Sequence, residues 1–300
     1  MTPFFSIILP TYNREKMIPV AIQSVIDQRY PAWELIIIDD GSTDNTRQLI
    51  KSFSDERIKY VYQDNSERSV ARNHGISLAS GQYICFLDSD DYYLPEHLSS
   101  LHQKITDSGS QIAFYYAGSC SIEKGKPVER PQFENMAGNN AEFILRAVIA
   151  TPQACIHKAI LNKHKFNPCI RIGEDMELWM RIVNEFPVIF SERYTVVQPD
   201  HEDRSVNEKK HNTFKEQLQT LKIIFHPQQA SGRVSSKLQK EMISYCYFGM
   251  ARHHIHRRAH IKAIQHLIMS LWICPGHVQS KHKLYLILQE MKNLLTFKKD

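Results

Sequence analysis

A chain of 300 residues with 42% hydrophobic and 23% charged residues, 11 Gly and 13 Pro, is excluded from the collagen-like, low-complexity and disordered classes. The length fits one large domain, or a domain of about 200 residues with an appendage. The net charge of +5 hides an asymmetry: residues 204–300 hold 17 Lys and Arg against 5 Asp and Glu, while residues 1–203 hold 20 against 27.

In chain order, Ser6-Ile7-Ile8-Leu9 reads as a short apolar strand, followed by a helical stripe of Ile18, Ala21, Ile22, Val25 and Ile26 within residues 14–28. Leu35-Ile36-Ile37-Ile38 is a second strand, continuous in its apolar residues as a strand covered on both faces should be. Gly41-Ser42-Thr43-Asp44 supplies turn and capping chemistry for a helix over 43–54. A third strand over 58–62, a helix over 68–80 and a fourth strand, Tyr83-Ile84-Cys85-Phe86-Leu87, follow, and Leu94-Pro95-Glu96 opens a further helix with Pro in its first turn. This alternation predicts an α/β fold, a mostly parallel sheet with helices on both faces. Beyond it, residues 110–203 mix strands (112–116, 188–190, 194–197) with helices near 140–150 and 175–186. After about 207 the pattern is helical, with breaks near Pro227 and Pro275. The boundaries expected are 1–206 for the α/β domain, with halves 1–110 and 111–206, and 207–300 for a basic helical region.

In parallel sheets ligands bind beyond the carboxyl ends of the strands. Three polar clusters fall there: Pro10-Thr11-Tyr12-Asn13, Asp39-Asp40-Gly41-Ser42 and Asp88-Ser89-Asp90-Asp91. Three carboxylates in four residues repel one another unless a cation holds them, and hard oxygen ligands suit Mg²⁺ or Mn²⁺. The alternative is a solvated loop of capping carboxylates. No G-x-G-x-x-G follows the first strand and no G-x-x-x-x-G-K-[ST] occurs, so neither a dinucleotide fold nor a P-loop is supported.

Ile7-Ile8-Leu9-Pro10-Thr11-Tyr12-Asn13 and Glu34-Leu35-Ile36-Ile37-Ile38-Asp39-Asp40-Gly41-Ser42-Thr43-Asp44 resemble segments of the family 2 glycosyltransferases. So do Ala71-Arg72-Asn73-His74-Gly75-Ile76, Gly81-Gln82-Tyr83-Ile84 with Phe86-Leu87-Asp88-Ser89-Asp90-Asp91, and Gly173-Glu174-Asp175-Met176-Glu177-Leu178-Trp179-Met180-Arg181. The five motifs stand in the expected order across about residues 4–185. The resemblance implies a GT-A type fold, followed here by a helical C-terminal extension, and inverting, non-processive transfer of one sugar from a nucleoside diphosphate sugar, a UDP-sugar first. A saccharide or lipid-linked acceptor follows from it, in surface polysaccharide or glycolipid assembly. A sugar-nucleotide-binding or nucleotidyltransferase-like protein on the same scaffold is the alternative, although the glycine-rich phosphate loop of the latter is missing.

On that resemblance Pro10, Thr11 and Tyr12 belong to the nucleotide site, Tyr12 offering an aromatic face to a base. Asp40, with Asp39 as its stand-in, reads the base edge, and Arg72 meets the diphosphate or the base. Asp90 holds the metal and Asp88 the metal or the ribose. His201 is a further metal candidate, weighed against being one ordinary histidine among 15. Asp175 is the candidate base, Glu174 the second, and the competing reading of Asp175 is a carboxylate that stabilises a helix N-terminus. Arg68-Ser69-Val70 departs from the family's small residues, and no Gln-x-x-Arg-Trp follows the Glu-Asp pair, which favours single-sugar transfer.

No run of about 18 apolar residues is present to span a bilayer. The first residues carry no basic leader, the apolar run 4–9 stops at Pro10, and the six cysteines form no C-x-x-C. Reduced thiols, no zinc and a cytoplasmic protein are the expectation. Residues 255–272 place Ile261, Ile264, Ile268, Leu271 and Trp272 on one stripe beside Arg257, Arg258, His260, Lys262 and His266. That helix predicts peripheral contact with the inner face of a membrane or packing on the catalytic domain or in a homodimer. Nucleic acid is not expected, since no binding motif accompanies the charge.

Overall fold

The structure is a computed structural model that describes residues 3–130, 139–200, 213–226, 234–276 and 279–296. The chain divides into two compact units, residues 1–201 and 202–300.

The first unit is built on a nine-stranded mixed sheet. Strands β1 (Phe5–Thr11), β2 (Trp33–Asp40), β3 (Ile58–Gln63) and β4 (Tyr83–Phe86) are parallel, in the order β3-β2-β1-β4. β1, β2 and β4 are buried at every residue, which is what their unbroken apolar runs require. The intervening helices are α1 (Ile18–Ile26), α2 (Thr46–Lys51) and α3 (Arg68–Leu78). On α1 the residues Ile18, Ala21, Ile22 and Val25 form the inward stripe. Gly75 of α3 is fixed by close approach, because a Cβ there would stand 2.4 Å from Ile8 Cγ2.

The sheet continues through β8 (Ala154–His157), β6 (Phe114–Glu123), β9 (Val188–Val197) and β5 (Tyr92–Tyr93), with β7 (Lys126–Glu129) paired to β6. β8 joins β4 and β6 antiparallel, and β5 joins β9 antiparallel, so the parallel regularity ends after β4. Helices α4 (His97–Asp107), α5 (Asn140–Ala147), α6 (Lys158–Lys163) and α7 (Glu174–Ile182) complete the unit.

Several boundaries differ from the sequence reading. The helix placed over 43–54 is only Thr46–Lys51, since Asp44 turns its Oδ1 to accept from the Thr46 N–H at 3.0 Å. Pro95 precedes α4 and is not in its first turn. The two strands at 188–190 and 194–197 are one, β9, with Glu192 at φ 60°.

Glu34, near the start of β2, is a structural hub that periodicity did not reveal. Its Oε1 accepts from Ser6 Oγ at 2.6 Å, from Ser80 N–H at 2.6 Å and from Ser80 Oγ at 2.7 Å, and its Oε2 from Lys59 Nζ at 2.7 Å. Burial alone would raise this carboxyl, but those hydrogen bonds win and hold it down at about 2.

The second unit contains α8 (Thr213–Ile224), α9 (Ser236–His256), α10 (His260–Ile273) and α11 (Ser280–Thr296). The helix expected over 255–272 is in fact split, because Arg257 caps α9 and Arg258 turns at φ 56°. Pro275 stands between α10 and α11, whereas Pro227 lies outside the described residues. All six cysteines are free thiols. Among the described residues no helix is long and apolar enough to cross a membrane.

Candidate functional site

The polar ends of the parallel strands meet through a chain of hydrogen bonds. Asn13, at φ 51° after β1, donates its N–H to Ser42 Oγ at 3.0 Å and accepts from the Thr43 N–H at 2.8 Å, which ties the loop after β1 to the loop after β2. Pro10 and Thr11 are buried at the end of β1, and Tyr12 is 48% exposed beyond them. An exposed ring at a strand end is available for stacking.

The two aspartates ending β2 have different environments. Asp39 is fully buried and spends both oxygens inside the protein: Oδ1 accepts from the Ser42 N–H at 2.9 Å, Oδ2 from the Tyr60 hydroxyl at 2.8 Å. Burial, and then the Asp39 carboxylate, push the Tyr60 phenol up, so it stays a donor. Asp40 accepts at Oδ1 from Gln63 Nε2 at 2.7 Å and from the Ser66 N–H at 2.9 Å. Gln63 Oε1 lies 2.8 Å from His74 Nδ1, and since the amide nitrogen is spent on Asp40, His74 must carry its proton on Nδ1. Sequence reasoning missed Tyr60, Gln63 and His74. The signal was the β3 register, which sets Gln63 opposite Asp40.

Arg72 is the centre of the site. It is 2% exposed, and donates from Nη2 to Asp88 Oδ1 at 2.7 Å and from Nη1 to Glu174 Oε1 at 2.9 Å. One guanidinium thus fixes α3, the turn after β4 and the start of α7 together. Burial works against its charge, but Asp88 and Glu174 outweigh burial and raise its pKa further. Arg68 Nη1 stands 3.7 Å from the same Glu174 oxygen. Glu174 is therefore a buried clamp, which weakens it as a base.

Asp175, next on α7, is only partly exposed and accepts a hydrogen bond from the Met176 N–H at 2.7 Å. Burial first, and then the Glu174 carboxylate, raise its pKa to about 7, with Asp88 adding to the rise and Arg72 and the N–H opposing it. A carboxyl raised to about 7 beside the Glu174 and Asp88 carboxylates is suited to proton transfer. Asp91 accepts from Gln198 Nε2 at 3.1 Å and so braces the turn.

Asp88 and Asp90 share that turn. Among the described residues no three His, Cys, Asp or Glu side chains form a cation cage. Two hard carboxylates in one turn nevertheless fit a divalent cation whose remaining ligands are phosphate oxygens and water. His201 lies outside the described residues. Three buried polar atoms at this edge, Thr11 Oγ1, Ser69 Oγ and Arg72 Nε, have no hydrogen-bond partner among the described residues.

Comparisons with known proteins agree on one family. The model described as glycosyl transferase family 2 matches residues 6–166. The UDP-Glc:alpha-D-GlcNAc-diphosphoundecaprenol beta-1,3-glucosyltransferase WfgD of Escherichia coli is 33% identical over 181 residues, 60% of this chain and 70% of that protein. An uncharacterized glycosyltransferase of Rickettsia bellii is 36% identical over 179 residues, 59% of this chain, yet the match spans only 26% of that protein. Among solved structures, S. aureus TarS superposes with a TM-score of 0.66 at 19% identity, covering 96% of this chain and 53% of that one. TarS 1-349 in complex with UDP-GlcNAc gives 0.61 at 17%, covering 95% and 88%. These structural likenesses support the expected α/β fold of the GT-A type.

Proposed function

Since the chain belongs to glycosyl transferase family 2, we propose that it moves one sugar from a nucleoside diphosphate sugar to a hydroxyl acceptor, with inversion at the anomeric carbon. The observation that carries this is the Arg72 clamp, which sets Asp88, Glu174 and a near-neutral Asp175 at the carboxyl edge of the sheet.

In this reading Tyr12 stacks on the base, and Asp40 accepts its edge N–H through the oxygen that Gln63 and Ser66 leave over. Asp39 shapes the loop from behind. The Thr11 hydroxyl, without a partner among the described residues, supports a site completed by a ligand. Asp175 takes the proton of the attacking hydroxyl, while Glu174 keeps Arg72 in register. Asp90 and Asp88 would hold Mn²⁺ or Mg²⁺ against the diphosphate, with His201 a further candidate ligand. Such a cation, when bound, neutralises charge on the departing diphosphate.

WfgD is named for a UDP-glucose donor and a diphosphoundecaprenol acceptor, and a Campylobacter jejuni relative, 29% identical over 196 residues, for a PP-undecaprenol substrate. A UDP-sugar donor and a lipid-linked saccharide acceptor are the substrates proposed here, in surface polysaccharide or glycolipid assembly. The helical unit would then bring the enzyme to the surface that holds its acceptor.

The test is a thermal-shift series with nucleoside diphosphates and their sugars, each with and without Mn²⁺ or Mg²⁺. At about 100 times its dissociation constant a true ligand adds roughly 2.7 kcal/mol. Cation-dependent stabilisation by one nucleoside diphosphate is expected. Absence of any shift across the series would remove the donor site from the account.

A further inference from the structure

The C-terminal unit contains a helix that buries two charged side chains and exposes several large apolar ones. On α11, Lys283 and Glu290 are 1% and 2% exposed, while Leu284, Tyr285, Leu288 and Met291 all face solvent, Leu288 at 68%. Both buried charges find a partner within the unit. Lys283 Nζ donates to Ser244 Oγ at 3.0 Å and lies 5.4 Å from the Phe248 ring; Glu290 accepts from His260 Nδ1 at 2.7 Å. The neighbouring α10 behaves alike. Its inward residues are Ala263, Leu267 and Ser270, and Ile261, Ile268, Met269 and Trp272 point out, Trp272 at 78%. Thus Ile261, Ile268 and Trp272 of the apolar stripe read from the sequence are exposed, while Ile264 and Leu271 are half-buried. Two adjacent helices turn large apolar side chains to solvent, which marks an interaction surface.

Charge narrows the occupant to an anionic surface. Residues 236–296 contain nine Lys and Arg against two acidic residues, Glu241 and Glu290, and Glu290 is buried. Lys262, Lys281 and Lys292 are exposed on the same two helices, with Arg257 and Arg258 in the turn before α10. Apolar stripes edged by cations fit the headgroup boundary of an anionic bilayer. A second copy of the chain fits less well, because a two-fold contact would set these cations against their own equivalents.

We propose that α10 and α11 dock on an anionic lipid bilayer, with Ile261, Ile268, Trp272, Leu284 and Leu288 entering the interface and Lys262, Lys281 and Lys292 meeting lipid phosphates. The choice of a lipid surface over an acidic protein rests on the lipid-linked acceptor proposed above.

The chain offers its own probe. Trp33 and Trp179 are 2% and 0% exposed, so quenching of tryptophan fluorescence by membrane-embedded groups reports Trp272. The full chain, without nucleotide, is mixed with phosphatidylcholine vesicles, with and without phosphatidylglycerol, carrying brominated acyl chains. A blue shift and quenching with the phosphatidylglycerol vesicles are expected, weakening as salt rises. Replacing Lys262, Lys281 and Lys292 together by Gln should weaken binding by about 100-fold. Leu288→Ser with Ile268→Ser should remove the quenching while both exposed sites leave the fold intact. An unquenched Trp272 at low salt overturns the proposal, and so does a dimer in sedimentation that these serines dissolve. Nucleoside diphosphate affinity is measured on the same samples. Lost vesicle binding with intact nucleotide binding sinks the docking surface alone, whereas the reverse sinks the transferase reading alone.

Discussion

Asp175→Asn separates catalysis from stability in opposite directions. The amide keeps the shape and the contact with the Met176 N–H but cannot accept a proton at neutral pH. Loss of a positioned base costs about 10²–10⁴-fold in rate, or about 3–5 kcal/mol of barrier. Stability should move the other way. In the folded chain burial and Glu174 hold this carboxyl at about 7, against an ordinary value of 3.8. Between those values the folded state binds more protons than the unfolded state, so the wild type loses stability as pH rises from about 4 to about 7. The full displacement corresponds to about 4 kcal/mol, and partial solvent exposure of Asp175 reduces it to about 1–2 kcal/mol. The variant should therefore melt about 2–6 °C above wild type at pH 8 and level with it near pH 4. Turnover by coupled nucleoside diphosphate release, and melting by calorimetry at both pH values, give the two readings. Near-normal turnover in the variant would refute the reasoning and return Asp175 to stabilising the start of α7.

Other outcomes follow from the same geometry. Asp90→Ala should abolish the Mn²⁺ dependence of UDP binding in calorimetry, and unchanged cation-dependent affinity would contradict its assignment. Glu34→Gln should cost about 2 kcal/mol at pH 7 in urea unfolding. Because the folded carboxyl sits at about 2, that stabilisation is present above about 4.5 and fades as pH falls toward 2, so the two proteins should converge in acid. Lys283→Met should be neutral or stabilising by about 1 kcal/mol in the same assay, since a buried lysine held by one serine is replaced by an apolar chain of similar length. A large loss there would show that the Ser244 contact outweighs the cost of burial.

The parallel half of the sheet was legible because its strands are buried on both faces and their apolar runs end abruptly in polar clusters. Asp88-Ser89-Asp90-Asp91 and Glu174-Asp175 could be placed on strand and helix ends from local pattern alone. The continuation of the sheet, where parallel and antiparallel pairs mix, was harder. β5 has two residues and β8 only four, too short for periodicity to register. The braces of the site were hidden for another reason: Gln63 on Asp40, Tyr60 on Asp39 and Arg72 on Glu174 are contacts across 21 to 102 residues. Only register or tertiary packing creates them. The apolar stripe of α10 was visible, but its outward direction was not, because inward Ala263, Leu267 and Ser270 are small or isolated in the sequence.

The central claim, sugar transfer with Asp175 as base, is tested most directly by following the anomeric centre. Nucleoside diphosphate sugars of defined configuration are incubated with the full chain, Mn²⁺ and an undecaprenyl-diphosphate-linked saccharide, and the product linkage is assigned by NMR. One donor should give a product of inverted configuration with wild type and none above about 1% of that rate with Asp175→Asn. A product of retained configuration, or equal yields from the two proteins, would contradict the account.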